Sequence, residues 1–220
     1  MEKVVAVIPA RNEEKTIADI VKFTANYVDE VIVVDDRSSD KTGIIAKRKG
    51  AKVIKTPINK GLGYVLRFGY KYALGSGADI IVTLDADGQH NPNDIPKLIE
   101  RLKEAHVVLG SRFLGKNKNV TNPIKNILLS YVLSILLGIK LSDTQTGFRV
   151  FRRECLENLN PIGDSTIRQE EIILAVRKGF KIAEVPITVS DRRYGKSFVN
   201  FTYPFKVLPI IISAFLRRLK

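Results

Sequence analysis

The sequence predicts an α/β protein built on a Rossmann-like, doubly wound, mostly parallel sheet flanked by helices. Three observations predict it. Short β-branched runs alternate with segments of helical periodicity through the first half of the chain. Three of those runs end in polar clusters, PARNEE, DDRSSD and DADGQH, and ligands of such sheets sit beyond the carboxyl ends of strands. At 220 residues, 45% apolar and 27% charged, the chain has the material for one substantial core and is too apolar for wholesale disorder.

The elements follow in order. KVVAVIP (3–9), EVIVVDD (30–36), AKVIKT (51–56), ADIIVTLDAD (78–87) and HVVLGS (106–111) are rich in Val and Ile and read as strands. Between them EKTIADIVKFTANY (14–27), DKTGIIAKRKG (40–50) and GYVLRFGYKYALGSG (63–77) carry apolar residues near period 3.6. Gly88 and Asn91-Pro92 break the fourth strand, and NDIPKLIERL (93–102) resumes as a helix. The second half is less regular. KNILLSYVLSILLGIKL (125–141) has thirteen uncharged residues from Ile127 to Ile139, short of the roughly eighteen expected of a membrane span. Ser130, Ser134 and Gly138 recur at i, i+4, i+8 and leave one helical stripe small. FKVLPIIISAFLRRLK (205–220) is apolar, interrupted by Pro209, and ends basic. Both segments read either as core helices or as amphipathic helices at a membrane interface.

Charge and cysteine usage narrow the function. Thirty-six Lys and Arg against 23 Asp and Glu give a formal charge of +13, which predicts an anionic partner. Basic residues gather at Arg149, Arg152, Arg153, the Arg192-Arg193 pair and the terminal RRLK, without interleaved aromatics. That pattern argues against nucleic acid. A lone Cys155 excludes an internal disulfide or a cysteine zinc site and suits a reducing setting, and VVAVIP is too short for a signal peptide. Missing motifs remove further classes. No G-x-G-x-x-G follows the first strand, no G-x-x-x-x-G-K-[ST] is present, and there is no G-x-S-x-G elbow.

What remains is an acidic pair. Asp85 and Asp87, two apart at a strand end, would point the same way and repel. Something positive should sit between them. A hard divalent cation, Mg2+ or Mn2+, takes oxygen ligands and keeps water and substrate phosphates in its shell, so Asp87 with Gln89 would suffice on the protein side. His90 reads as a packing or hydrogen-bonding residue.

Seven blocks stand in one order: VIPARNEEKTI, VIVVDDRSSDKT, NKGLGYVLRFGYKYALG, DADGQHNP, GSRF, DTQTGFRVF and DRRYGKS. In this they resemble family 2 glycosyltransferases of the GT-A fold, and within them the polyprenyl-phosphate sugar synthases such as the dolichol-phosphate mannose synthases. The resemblance runs from about Lys3 to Asn200. It implies a nucleotide-sugar pocket lined by Pro9, Arg11 and Glu13, with Asp36 near base or ribose and Lys60 nearby. It implies that Asp85 lies close to nucleotide and metal, and that Asp87 is a direct metal ligand joined by Gln89. Arg112 would meet phosphate or donor sugar. Asp143 and Arg149 would serve the acceptor side, and Arg192 and Ser197 would close over the two phosphates. Glu170, with Glu171 beside it, stands where an enzyme using a sugar hydroxyl would place its base.

The expectation is therefore an inverting, metal-dependent transfer of a hexose, mannose from GDP-mannose first, to a polyprenyl or dolichyl phosphate. UDP-glucose or UDP-N-acetylhexosamine as donor, a saccharide hydroxyl as acceptor, and a non-catalytic nucleotide- or membrane-binding module stand as alternatives. On this reading residues 1–200 form the catalytic domain, with 119–141 as interfacial helices, and 201–220 a basic amphipathic helix. Attachment would be peripheral or monotopic at the cytoplasmic face of the cell membrane, with a membrane-protein partner or a homo-oligomer open.

Overall fold

The computed structural model describes residues 1–58, 60–115 and 123–190. Seven strands form one sheet in the order β3-β2-β1-β4-β6-β5-β7. They are β1 (Val4–Ala10), β2 (Glu30–Asp35), β3 (Lys52–Lys55), β4 (Ile80–Thr83), β5 (Val107–Ser111), β6 (Arg149–Arg152) and β7 (Ile182–Pro186). The helices are α1 (Ile17–Thr24), α2 (Thr42–Arg48), α3 (Leu62–Gly75), α4 (Ile95–Arg101), α5 (Pro123–Leu137), α6 (Arg153–Asn158) and α7 (Ile167–Arg177).

Alternation along β1 sets the two layers. Ala6 and Ile8 pack with Ile17, Ile20 and Val21 of α1 and Leu98 of α4. Val5 and Val7 face the opposite way, onto Val65, Leu66 and Tyr70 of α3 and Ile167 and Ile172 of α7. A strand buried on both faces is why these runs are continuously Val and Ile rather than alternating with polar residues. Gly69 lets α3 lie close on the sheet, since a Cβ there would overlap the side chains of Val7 and Val34.

The five expected strands are present, and β1, β2, β3 and β4 are mutually parallel. Two features differ from expectation. β4 ends at Thr83 rather than at residue 87, so Asp85 and Asp87 sit on a turn beyond the strand. The sheet also gains two strands from the second half. β7 pairs parallel with β5, whereas β6 runs antiparallel between β4 and β5. That reversal matters for the site. Thr83 at the carboxyl end of β4 pairs with Arg149 at the start of β6, so the segment entering β6, residues 143–148, arrives at the same edge as the acidic turn.

α5 is two-faced. Its inner face carries Ser130 and Leu133, both buried, with Leu129, Leu136 and Leu137 packed beside them, and the Ser130 hydroxyl meets Thr144 Oγ1 at 3.1 Å and accepts from the Thr144 N–H at 3.0 Å. Its opposite face is apolar and exposed, with Ile124 80%, Leu128 60%, Tyr131 62% and Ile135 63% exposed. It packs one face on Ile173 of α7 through Leu133 and leaves the other exposed. Among the described residues no helix is long and apolar enough to cross a membrane. The segment 201–220 lies outside the described residues.

Cys155 on α6 is buried. Burial first, and then Glu154 and Glu171, push its thiol up to about 12. The thiolate is the reactive form, so the folded protein should resist iodoacetamide at pH 8 and take up one label per chain after unfolding. Rapid labelling of the native protein would contradict this packing.

Candidate active site

The sheet order reverses between β1 and β4, since β1 leads outward to β2 and β3 while β4 leads to β6. A crevice opens at such a switch point, and here it is a cavity of about 390 Å³. Pro9, Arg11 and Glu13 from the end of β1, Asp36 from the end of β2, and Asp85 and Asp87 after β4 all line it, together with Arg168 of α7. The first two loops are laced together. Asn12 N–H donates to Ser38 Oγ at 3.0 Å, Ser39 N–H donates to Asn12 Oδ1 at 2.8 Å, and Glu13 N–H donates to Thr42 Oγ1 at 2.8 Å. Asn12 and Arg37 hold positive φ angles of 55° and 57°, uncommon away from glycine and frequent where a loop is shaped for a task. Asp36 is fixed by Thr56, whose hydroxyl donates to Oδ1 at 2.8 Å. Lys60 stands at the approach to α3, its ammonium 5.9 Å from the centre of the Tyr64 ring.

The acidic turn is built from several directions. Thr16 at the head of α1 donates to the Ala86 carbonyl at 2.7 Å, and Gln89 N–H donates to Asp87 Oδ1 at 3.0 Å. Asp85 N–H donates to His90 Nδ1 at 3.2 Å, which leaves that nitrogen as an acceptor. His90 packs on Phe148 with ring centroids 5.4 Å apart. Burial lowers its pKa, outweighing the pull of Asp85 and Asp87, so it is a neutral hydrogen-bonding residue as the sequence suggests. Beside Asp85 stands Arg168, whose Nη2 donates to Asp85 Oδ1 at 2.6 Å and whose Nη1 donates to the Gln145 carbonyl at 2.8 Å. Burial pushes the Asp85 carboxyl up, but the charges of Arg168 and Arg112 and the Arg168 hydrogen bond outweigh it and hold the group below the usual range. Gly147 makes room for the pair, because a Cβ there would overlap both Asp85 Oδ2 and Arg168 Nη2.

The profile of Glycosyl transferase family 2 matches residues 5–159. The chain belongs to that family. It is 32% identical over 210 residues to the undecaprenyl-phosphate mannosyltransferase of Micrococcus luteus, covering 89% of this chain and 86% of that one. It is 36% identical over 230 residues to the UDP-N-acetylglucosamine–dolichyl-phosphate N-acetylglucosaminyltransferase of Methanococcus voltae, covering 91% of each. Among solved structures, glucosyl-3-phosphoglycerate synthase of Mycobacterium tuberculosis with phosphoglyceric acid superposes with a TM-score of 0.78 at 25% identity, over 97% of this chain and 80% of that one. The same synthase, crystallised with Mn2+, uridine diphosphate and phosphoglyceric acid, shares the fold at a TM-score of 0.76 and 23% identity, over 99% and 78%. The sheet and its helices are those of a GT-A glycosyltransferase.

In this glycosyltransferase the loop 143–147 is a hub. Asp143 is fully buried and grips Arg112 with both oxygens, at 2.6 Å to Nε and 2.8 Å to Nη2. The two residues expected on the acceptor side take inward partners. Asp143 reaches no open surface; it positions Arg112. Arg149, 1% exposed, does not face the cleft either. It donates to the Thr144 and Thr146 carbonyls at 2.9 Å each, to the Arg168 carbonyl at 2.6 Å, and pairs with Glu171 at 3.0 Å. A strand position beside the sheet centre leaves a guanidinium no route to solvent, so it bonds backbone.

Glu170 and Glu171, the candidate bases, are likewise committed. Glu170 Oε2 accepts from the Ile162 and Gly163 N–H groups at 2.8 and 2.9 Å, and Glu171 accepts from Tyr70 at 2.8 Å as well as from Arg149. Arg192 and Ser197 lie outside the described residues. Arg168 was not singled out by sequence reasoning; in RQEE the carboxylates draw the eye.

The donor set suits a hard cation. Asp85 and Asp87 line one cavity, and among the described residues no cluster of three His, Cys, Asp or Glu can enclose an ion. Two carboxylates, with Gln89 adjacent, leave most of the coordination shell to water and substrate phosphates, which is the habit of Mg2+ and Mn2+ with nucleotides.

Proposed function

We propose that the protein transfers a hexose, mannose from GDP-mannose as first choice, to the phosphate of a polyprenyl phosphate held at a membrane surface, with inversion. One observation carries the reading. The outward apolar face of α5 is anchored, through Ser130 and Thr144, to the same 143–147 loop whose Asp143 grips Arg112 and whose Gln145 carbonyl accepts from Arg168, a residue lining the cavity. A lipid-phosphate acceptor needs this juxtaposition of apolar surface and cationic site. The names of the two relatives support it, since they differ in sugar but share a polyprenyl-phosphate acceptor.

The chemistry follows from charge. A phosphate oxygen of the acceptor, already anionic near neutral pH, attacks the anomeric carbon as the nucleoside diphosphate departs, so no strong base is required. That suits an α7 whose glutamates are occupied by protein partners. Arg112, fixed by Asp143, and Arg168 would offset the repulsion between two phosphates and the charge developing on the leaving group. Asp87, with Asp85 and Gln89, would hold the divalent cation, whose contribution is to neutralise the diphosphate. Pro9, Arg11, Glu13, Asp36 and Lys60 would receive the nucleotide, and Arg192 and Ser197 would act on the phosphates from the segment after Ser190.

The test is direct. Protein is incubated with dolichyl phosphate in vesicles, Mn2+ and labelled GDP-mannose, UDP-glucose or UDP-N-acetylglucosamine in parallel, and the lipid is extracted. Label entering the organic phase with one donor supports the reading and names the sugar. No transfer with any donor ends it.

Membrane contact is tested separately. Ile124→Glu, Leu128→Glu and Ile135→Glu together remove three outward apolar side chains, each worth about 1 kcal/mol or more when buried in an interface. Partition onto anionic vesicles should fall on the order of 100-fold while the melting temperature is unchanged, because none of the three packs on the fold. Unaltered vesicle binding would show that α5 is not the contact.

A further inference from the structure

We propose that Arg168 is an internal counter-ion that occupies the cation position at Asp85 in the ligand-free protein and thereby couples divalent-cation binding to nucleoside-diphosphate binding. The inference rests on the reading of Asp85 and Asp87 as cation ligands. The pair is built rather than incidental. Arg168 donates to Asp85 Oδ1 at 2.6 Å and to the Gln145 carbonyl at 2.8 Å. The two side chains are 18% and 28% exposed. Gly147 supplies the space they fill, and Arg149 fixes the backbone of Arg168 through its carbonyl.

Such a charge-assisted bond must be given up before Asp85 can serve a metal. A cation arriving alone would displace a guanidinium and leave it in the cavity with no new anion. A cation arriving with a diphosphate brings that anion, because Arg168 lines the same cavity as Asp85, Asp87 and the nucleotide-side residues. Cation and nucleotide should then each raise the affinity of the other by one common factor, as linkage requires. The consequence is a protein that ignores free divalent ions and takes them up as the metal–nucleotide complex.

Mn2+ binding is measured by loss of the free-ion paramagnetic resonance signal, with and without GDP or UDP, on the native protein, Arg168→Gln, Arg168→Lys and Asp87→Asn. In the native protein nucleotide should tighten Mn2+ on the order of tenfold or more. Arg168→Gln should tighten Mn2+ on the order of tenfold without nucleotide and shrink the nucleotide-induced gain toward unity. Arg168→Lys, which keeps the charge but cannot make both bonds in this geometry, should fall between, and it carries the test if the Gln variant does not fold. An equal gain in both states, with the coupling factor intact, would mean a general field effect and would overturn the proposal, as would unchanged Mn2+ affinity in the nucleotide-free Gln variant. Those results leave the metal reading standing. If native protein with nucleotide binds no Mn2+ that Asp87→Asn abolishes, the metal reading itself fails and takes this proposal with it.

Discussion

Asp87→Asn should lower turnover by about 100- to 1,000-fold, the range seen when one preorganised group that stabilises transition-state charge is removed. The substitution is nearly isosteric, and the remaining side-chain oxygen can still accept the Gln89 N–H bond now made at 3.0 Å, so the turn keeps its shape. What is lost is a full negative charge where, on the proposed function, a cation would be held against a diphosphate. Asp87 is the better probe than Asp85. Asp85 is paired with Arg168 at 2.6 Å, so its removal would also release a cation into the cleft and mix two effects. The measurement is kcat with saturating donor across a Mn2+ titration, alongside calorimetric binding of nucleotide without metal. Loss of kcat with metal-free nucleotide affinity retained is the expected outcome. Turnover near the native rate would remove Asp87 from the chemistry and leave the acidic turn as a structural feature.

Much of this arrangement is visible in the residues, for physical reasons that also explain what is not. β1 to β5 announce themselves because strands covered on both faces must be continuously apolar, and Val and Ile fill them. Their carboxyl ends share one edge in a parallel sheet, so PARNEE, DDRSSD and DADGQH could be placed together before any coordinates. β6 escapes because its RVFR has only two apolar residues between arginines, and β7 because IAEVP carries Glu184 and ends in Pro186. Glu184 is there for a partner remote in sequence, accepting from the Ser142 and Asp143 N–H groups at 2.8 and 2.9 Å. The antiparallel course of β6 brings 143–147 to the site, and no local pattern encodes that reversal. The same limit applies to α7. Successive residues on a helix turn by about 100°, so Arg168 reaches the cleft, Glu170 caps the 162–163 loop, and Glu171 enters the core. The repulsion between the two carboxylates was legible from electrostatics and pointed to a divalent cation. Arg168, 83 residues from its partner Asp85, is brought beside that carboxylate by the fold alone.

Arg149→Ala should cost about 3–5 kcal/mol of stability, the expense of breaking a buried ion pair by removing one partner. Arg149 and Glu171 are each 1% exposed, and the truncation takes the donor away from the Thr144, Thr146 and Arg168 carbonyls as well as from Glu171. At roughly 2–4 °C per kcal/mol for a chain of this size, the melting temperature should fall on the order of 10 °C. The loss should depend on pH. Burial pushes the Glu171 carboxyl above its ordinary 4.5, while Arg149 and the Tyr70 hydrogen bond pull it back; without Arg149 it rises further. A carboxyl whose folded pKa is raised contributes stability that is present below its unfolded pKa and disappears as pH climbs through the folded one. The variant should therefore be closest to the native protein near pH 4.5 and furthest from it at pH 8, compared by parallel urea titrations. Arg149→Met combined with Glu171→Leu removes both charges together and should recover most of the loss, since a buried pair replaced by apolar groups of similar volume is often neutral. Arg149→Ala that keeps its native melting temperature yet fails only to use acceptor would place the guanidinium on the lipid phosphate after all, and would mean that the 143–147 loop opens during turnover.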